Sequence, residues 1–240
     1  MAAKTGKQVT ADDLPFLQAL SDANRANLLK SAIVHGVSAG TILFAQGDTP
    51  NFQLVVLSGS AQLFGRSAKG REVLIEAVRP PDLIIPAAVV TGAPYLMEAR
   101  VPQASRFLLI PAAAFRAALD ADPLLAHAVI GSLARQFRRM VRQIKNLKLR
   151  SSTQRVGCYI LALSHRQGTP NQAVLPYEKH LIASELAMTR ESFSRALSAL
   201  EGSGIRVKGQ TIAILDNARL AAECTPDPLI DGVEDGAIAP

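Results

Sequence analysis

The feature that most restricts the fold is a long apolar seam in the middle of the chain. Its apolar side chains recur every three or four residues: Ala126, Val129, Leu133, Phe137, Met140, Ile144 and Leu147. This spacing predicts one amphipathic helix of roughly six turns. Between Arg135 and Arg155 the sequence carries eight basic residues and no acidic one, so the other faces of the helix are strongly charged.

A narrow apolar seam between charged flanks favours burial against a second helix. We therefore predict that residues 123–150 form a dimerisation helix. The predicted interface consists of Val129, Leu133, Phe137, Met140, Ile144 and Leu147. The alternative is that the seam packs against its own domain.

The segment before this helix has a different pattern. Short apolar runs alternate with glycines in "TILFAQGD", "FQLVVLSGSAQLFG" and "KGREVLIEAV", and "ASRFLLIP" follows as a final strand. Such runs predict an antiparallel β-barrel or sandwich. One or two short helices should precede it, with Asp12-Asp13 or Ser21-Asp22 as N-cap candidates. Pro111 should open a helix that Pro123 ends or kinks, which gives a first domain over residues 10–122.

The segment after the seam predicts a second domain over residues 151–221. Two short helices in "LIASELAMTRESFSRALSALE" are separated by a break near Ala187-Met188-Thr189. The stretch "GIRVKGQTIAIL" then predicts a β-hairpin around Lys208-Gly209-Gln210. Two helices joined by a short turn and followed by a hairpin predict a winged helix-turn-helix.

The second of these helices has an unusually polar first turn. Arg190, Glu191, Ser194 and Arg195 share one face, opposite the apolar residues Phe193, Leu197 and Leu200. In a helix-turn-helix this helix enters the DNA major groove, where arginine pairs with guanine and glutamate accepts from cytosine. The candidate DNA-binding residues are Thr189 (also the predicted N-cap), Arg190, Glu191, Ser192, Ser194, Arg195 and, on the wing, Lys208. The alternative is a solvated face with an ordinary Arg–Glu ion pair.

Three stretches, "AGTILFAQGD", "VVLSGSAQLF" and "MTRESFSRALSALEGSGIRV", occur in an order that resembles the Crp/Fnr superfamily of bacterial transcription regulators. The resemblance extends over about residues 15–220. It implies an α+β fold with an N-terminal antiparallel β-roll similar to cyclic nucleotide-binding domains, a long dimerisation helix and a C-terminal winged helix-turn-helix.

The resemblance also implies the mode of action. Members act as homodimers on palindromic double-stranded DNA, and an activator among them would contact RNA polymerase. Glu191, Ser194 and Arg195 match the Fnr-type reading triad, which implies half-sites containing TGA. Arg190 instead matches the cyclic-AMP receptor branch, so the outer bases of the half-site stay open.

The family's β-roll often holds a cyclic nucleotide through a Gly-Glu pair and a later Arg-Ser pair. Ile85-Pro86 and Tyr95-Leu96 stand at those places, and Glu98 and Arg100 are offset from them. Because a buried phosphate needs a cation and hydrogen-bond donors, we predict no tight binding of cyclic AMP or cyclic GMP. The residues Ile85, Pro86, Tyr95, Leu96 and Met97 form a candidate effector pocket. The alternatives are a closed cleft and a signal received elsewhere.

The cofactor stays open at this stage. The stretch "YLMEARV" resembles the haem-using, nitric-oxide-responsive branch, which makes haem a candidate. The four histidines, His35, His127, His165 and His180, and Met97 are each weak ligand candidates. The Fnr cysteine cluster is missing, which argues against an iron–sulfur cluster, and no metal site is predicted. We place Cys158 in a helix core and Cys224 in the tail.

Charge and composition complete the sequence predictions. The net charge of +6 suits a polyanionic partner. After Thr225 the charged residues are acidic, which predicts an acidic disordered tail over residues 222–240. No apolar run approaches the ~18 residues of a membrane span, and the start lacks a signal core, so we expect a cytoplasmic protein.

No phosphate loop, paired metal ligands or catalytic triad stands out, so we expect no enzyme. The alternative to a DNA-binding regulator is a β-roll sensing or interaction module, with haem or an apolar effector, whose helix-turn-helix contacts protein.

Overall fold

The computed structural model describes residues 14–18, 20–70 and 72–232. The chain forms two compact units, residues 1–136 and 137–240, and the division between them falls inside the long helix. Asp12 and Asp13, the first pair of N-cap candidates, lie outside the described residues. Ser21 does cap a helix, because its side chain accepts a hydrogen bond from the backbone N–H of Asn24.

The first unit is a β-roll flanked by helices. Its helices are α1 (Pro15–Gln18), α2 (Asp22–Lys30), α3 (Pro86–Thr91), α4 (Ala112–Ala121) and the first part of α5 (Pro123–Leu149). Its strands are β1 (Ile33–Val37), β2 (Ile42–Phe44), β3 (Phe52–Ser58), β4 (Ala61–Arg66), β5 (Glu72–Val78), β6 (Leu83–Ile84), β7 (Glu98–Arg100) and β8 (Ser105–Pro111).

The strands form two antiparallel four-stranded sheets. Their orders are β1-β8-β3-β6 and β2-β7-β4-β5. The glycines between the runs allow the reversals: Gly59, at the turn between β3 and β4, has a φ of 80°, which favours glycine. A Cβ there would lie 2.1 Å from the Ser105 hydroxyl oxygen, so glycine is also required for space.

Helices α4 and α5 meet at Asp122. Pro111 precedes α4, as the sequence predicted, and Pro123, which was expected to end or kink that helix, lies two residues after its end and begins α5. The Asp122 carboxylate accepts hydrogen bonds from the backbone N–H groups of Leu124 (2.9 Å) and Leu125 (3.3 Å). Within the described residues no single helix is long and apolar enough to cross a bilayer; α4 and α5 pass that test only as a pair bent by 114°.

The second unit contains the rest of α5 and the C-terminal elements. These are α6 (Ser152–Arg166), β9 (Gln172–Val174), α7 (Lys179–Glu185), α8 (Arg190–Glu201), β10 (Ile205–Lys208), β11 (Thr211–Ile214), α9 (Asn217–Cys224) and α10 (Pro228–Asp231). Ser151 and Gln154 form a reciprocal capping box at the start of α6. The strands form one antiparallel sheet in the order β10-β11-β9.

The structure differs from the predicted disordered tail over residues 222–232, and the remainder of that prediction, residues 233–240, lies outside the described residues. Residues 222–224 complete α9, and α10 follows at Pro228–Asp231. The placement of Cys224 in a tail is wrong: it is fully buried in the core of the second unit, and its carbonyl accepts a hydrogen bond from the Cys158 thiol at 3.3 Å. The prediction of disorder was based on the acidic composition of this segment, and composition gives no information about whether Cys224 packs into the domain.

Candidate nucleic-acid interface

The helix-turn-helix is formed by α7, the turn at Leu186–Thr189, and α8. Ala187 has a φ of 51°, and this left-handed residue ends α7 at the predicted break. The Thr189 hydroxyl accepts a hydrogen bond from the backbone N–H of Ser192 at 3.2 Å, which confirms Thr189 as the N-cap of α8. One end of α8 is therefore fixed by its own sequence.

The two faces of α8 separate as the sequence predicted. Phe193, Ala196, Leu197 and Leu200 are buried in the core of the second unit. Arg190, Glu191, Ser194 and Arg195 are exposed, and Ser192 is half-exposed. The structure thus presents two guanidinium groups and one carboxylate at the N-terminal end of a rigidly packed helix, where the helix dipole also favours an anion.

Local hydrogen bonds orient these polar groups. Arg195 donates from Nη2 to the Ser192 hydroxyl at 2.9 Å. The pKa of Glu191 is lowered by a hydrogen bond from its own backbone N–H and by the Thr189 side chain, with Arg190 and Arg195 adding to the effect. Glu191 therefore stays ionised at neutral pH and acts as a hydrogen-bond acceptor.

The hairpin of β10 and β11 turns at Gly209, whose φ is 63°. Lys208 lies exposed at this turn, as predicted. Arg206 is also exposed and lies two residues earlier on β10, so it shares a strand face with Lys208. The sequence reasoning missed Arg206, although the alternation in "IRVK" carries the signal.

The interior of the β-roll is filled by its own side chains. The ring of Tyr95 stacks on that of Phe44 with the centroids 3.7 Å apart, and its hydroxyl donates to the carbonyl of Phe52 at 3.4 Å. Burial raises the pKa of Tyr95 to about 12. The cluster around this pair includes Leu63 and Ile84. A large aromatic side chain thus occupies the position at which the family resemblance places an arginine.

The other candidate pocket residues differ widely in burial. Leu96 is 81% exposed, whereas Pro86 is buried. Met97 and Ile85 pack against the edge of the roll cluster. Ile85 has a φ of 42°, so the backbone keeps a conformation that favours glycine although the side chain is β-branched.

Glu98 and Arg100 belong to an ion-pair cluster on the outside of this core. Arg100 donates to both Glu72 (2.7 and 3.0 Å) and Glu98, and Arg66 also pairs with Glu72. These contacts lower the pKa of Glu72 to about 2. The cluster lines a cavity of about 430 Å³, but its two arginines and two glutamates neutralise one another.

The predicted dimer face divides along α5. Val129 is only 2% exposed and packs with Leu133 against the core of the first unit, so assigning Val129 to an intermolecular interface is wrong for that residue. The spacing of the seam could not reveal this difference. An apolar residue recurs at the same helical interval whether it packs against a second chain or against its own domain. Phe137 is 61% exposed, and Met140, Ile144 and Leu147 are exposed as well.

All four histidines are exposed. Among residues 14–18, 20–70 and 72–232, no three His, Cys, Asp or Glu side chains come together so that they could hold a metal ion.

Two family models match this chain. Residues 34–122 match the cyclic nucleotide-binding domain and residues 154–223 match the Crp-like helix-turn-helix domain. The chain is 26% identical over 187 residues to the CRP-like cAMP-activated global transcriptional regulator of Mycobacterium tuberculosis, covering 76% of this chain and 84% of the relative.

Solved structures share the fold. FixK2 from Bradyrhizobium japonicum superposes with a TM-score of 0.66 at 19% identity, covering 80% of this chain and 96% of FixK2. The c-di-GMP responsive regulator CLP from Xanthomonas campestris gives a TM-score of 0.70 at 17% identity, covering 82% of this chain and all of CLP. With its β-roll, long helix and C-terminal helix-turn-helix in this order, the chain belongs to the Crp/Fnr superfamily of bacterial transcription regulators.

Proposed function

We propose that the chain acts as a homodimer on a palindromic DNA site whose half-sites contain TGA. The observation that carries this proposal is the exposed N-terminal face of α8, where Arg190, Glu191 and Arg195 stand on a helix whose other face is buried. Arginine is suited to two parallel hydrogen bonds with guanine, and glutamate to one from the cytosine amino group. Thr189, Ser192 and the wing residue Lys208 would contact phosphates.

Dimerisation is supported by a heptad pattern along α5, whose residues are exposed except for Leu133, which is half-buried against its own unit. Ile130, Phe137 and Ile144 recur every seven residues, and so do Leu133, Met140 and Leu147. Apolar residues at both positions of each heptad are typical of a two-stranded coiled coil. Ile130 was not among the predicted interface residues, and it is exposed. Two such helices would present two copies of α8 about one DNA turn, ~34 Å, apart.

The dimer is tested by substituting Ile144→Asp and measuring sedimentation of the full chain. A charge on the exposed part of the seam should shift the protein to monomer, whereas Lys148→Asp, on the flank of the same helix, should leave the dimer in place. Monomeric wild-type protein at tens of micromolar would remove this part of the proposal.

Sequence reading is tested by selecting duplexes from a randomised pool with the wild type and with Arg195→Ala. Losing a bidentate contact should cost ~1–3 kcal/mol and relax the preference at one base position. Arg219→Ala, an exposed arginine on α9, serves as the matched control and should keep the wild-type preference. If Arg195→Ala selects the same sequences as the wild type, Arg195 does not read a base.

We further propose that the roll does not respond to cyclic AMP. Phe44, Leu63 and Tyr95 fill its interior, and the position expected to carry the phosphate-binding arginine is aromatic. Equilibrium dialysis with labelled cyclic AMP should show no binding at a nucleotide concentration of about 1 mM, the weak end of ordinary affinities. Saturable binding with a stoichiometry of one per chain would contradict this.

The alternative function is a sensing or interaction module that uses the roll for haem or an apolar effector and the helix-turn-helix for protein contacts. A visible absorption spectrum of the purified chain separates these two functions, since bound haem gives a strong absorption band at the violet end of the visible range, whereas a chain without haem shows none. A steep fall of duplex affinity with salt favours the DNA-binding function.

A further inference from the structure

Residues 225–232, here called the C-terminal strap, cross the joint between α5 and α6. The joint itself consists of Arg150 and Ser151, between the end of α5 at Leu149 and the start of α6 at Ser152. Polar contacts tie the strap to both helices: Arg142 Nε to Leu229 O (3.2 Å), Lys145 Nζ to Asp227 Oδ2 (3.7 Å) and Gln154 Nε2 to Thr225 Oγ1 (3.4 Å).

The central contact is an ion pair between the joint and the strap. Arg150 donates from Nη1 to Oδ1 of Asp231 at 2.7 Å and from Nη2 to Oδ2 at 2.5 Å. The side chain of Arg150 is 5% exposed and that of Asp231 is 17% exposed. Two parallel charge-assisted hydrogen bonds fix the relative orientation of both groups. The backbone N–H of Asp227 donates to Asp231 Oδ2 at 2.8 Å, which holds the carboxylate in place.

A second buried guanidinium lies at the same joint. Arg155 donates to the carbonyl of Leu147 and to the hydroxyl of Ser152, both at 3.4 Å. Burial lowers the pKa of Arg155, whereas the hydrogen bonds from Arg150 to Asp231 raise the pKa of Arg150. Asp231 therefore supplies the negative charge beside a joint that buries two cations. Breaking such a pair leaves an uncompensated buried charge, which strongly destabilises the local structure.

The strap also starts from a firm anchor. Cys224, the residue before it, is fully buried and packs against Gly157 of α6. A carboxylate only seven residues further along the chain therefore has little freedom to leave the joint, which lowers the entropy cost of forming the ion pair.

We propose that the C-terminal strap is a clamp that holds α6 at one angle to the last turns of α5. This inference deepens the proposed function, because in a dimer each α8 would then be held in one pose relative to the end of its dimer helix. A fixed pose gives the second half-site a high effective concentration once the first is bound. A mobile joint lowers that concentration and weakens the affinity for the full palindrome.

The first test uses trypsin and needs no DNA. Cleavage after Arg150 requires that this side chain leave its ion pair, so in the full-length Asp231→Asn protein we expect cleavage there to be on the order of tenfold faster or more. Glu223→Gln, which removes the same charge from an exposed position on α9, should keep the wild-type rate. Deleting residues 226–240 should reproduce the effect of Asp231→Asn, whereas deleting residues 233–240 should not.

The second test compares the affinities for a single half-site and for the full palindrome in the same proteins. In Asp231→Asn the gain from the second half-site should fall about tenfold, because that gain is set by effective concentration, while the base preference stays unchanged. An unchanged gain, a tighter full-site complex, or wild-type trypsin cleavage would overturn the clamp.

The two levels of the proposal fail differently. If the wild type binds no duplex, the DNA-binding function fails. The trypsin rates then still decide whether the strap restrains the joint.

Discussion

The close packing of α6 against α9 predicts that Gly157→Ala lowers stability when Cys224 is present and no longer does so when Cys224 is replaced by alanine. At Gly157 an added Cβ would lie 1.9 Å from the Cys224 sulfur, 3.2 Å from the Cys224 Cβ and 3.6 Å from Leu200 Cδ1. Carbon atoms in contact sit ~3.5–4.0 Å apart, so the sulfur would have to move by more than about 1.5 Å out of a closed site. We therefore expect Gly157→Ala to introduce overpacking.

The magnitude follows from two opposing effects. Overpacking a core costs about 1–3 kcal/mol, whereas replacing a helical glycine by alanine gains about 1 kcal/mol. Gly157→Ala alone should therefore destabilise the second unit by up to about 2 kcal/mol. In a Cys224→Ala background the sulfur is gone, so the same substitution should be close to neutral or stabilising, with a coupling free energy of about 1–3 kcal/mol, the overpacking cost that is removed.

The assay can use Cys158, which all four proteins retain. It is buried, and burial raises the pKa of its thiol to about 12, so a thiol reagent labels it only when the second unit opens. Pulse labelling across a urea series gives the free energy of opening for each protein. Equal effects of Gly157→Ala in the two backgrounds would refute the packing argument. So would a Gly157→Ala protein that is more stable than the wild type.

Three further outcomes are expected. Lys208→Ala should weaken binding to all duplexes alike and reduce the salt slope by about one, without changing the selected sequence; a changed base preference would show that the wing reads bases. Ser151→Ala removes half of the capping box of α6 and should cost about 0.5–2 kcal/mol in urea unfolding, with Ser151→Thr retaining most of the stability. The hydrogen bond from Asn24, with those from Leu125 and Leu124, lowers the pKa of Asp122 below its ordinary 3.8. The contribution of ionised Asp122 to the free energy of unfolding is therefore fully present above the ordinary pKa and is lost as the pH falls through the lowered pKa. Asp122→Asn should therefore make the stability of the first unit less dependent on pH in the acid range.

Local sequence signals were sufficient to predict most of the elements of the second unit. Thr189 and Ser151 are short-range caps whose partners lie three residues away, and the turn at Gly209 is equally local. The buried positions of α8 follow from helical periodicity. Such features depend on neighbours in the chain, so residue order is enough to predict them.

The candidate effector site was less accessible to sequence reasoning. The sequence alone shows that Ile85-Pro86 replace the expected Gly-Glu pair, because the identity of a residue determines which groups it can bind. That Tyr95 turns inward onto Phe44 while Leu96 points to solvent was not readable. Both are large side chains in the segment before β7, and the backbone of Tyr95 is held by a distant segment: its N–H donates to the Asp48 carbonyl at 2.9 Å and its carbonyl accepts from the Gly47 N–H at 2.8 Å.

The sequence by itself determined the order of the elements, the caps and turns that bound them, the polar face of α8 and the family that these features define. Only the tertiary structure decided that Val129 is covered by its own domain, that Cys224 lies in a core, and that Asp231 pairs with Arg150 across 81 residues. Periodicity and charge patterns depend only on residues that are close together in the sequence. Burial and ion pairing depend on which distant segment arrives beside it, and that is settled only when the whole domain packs.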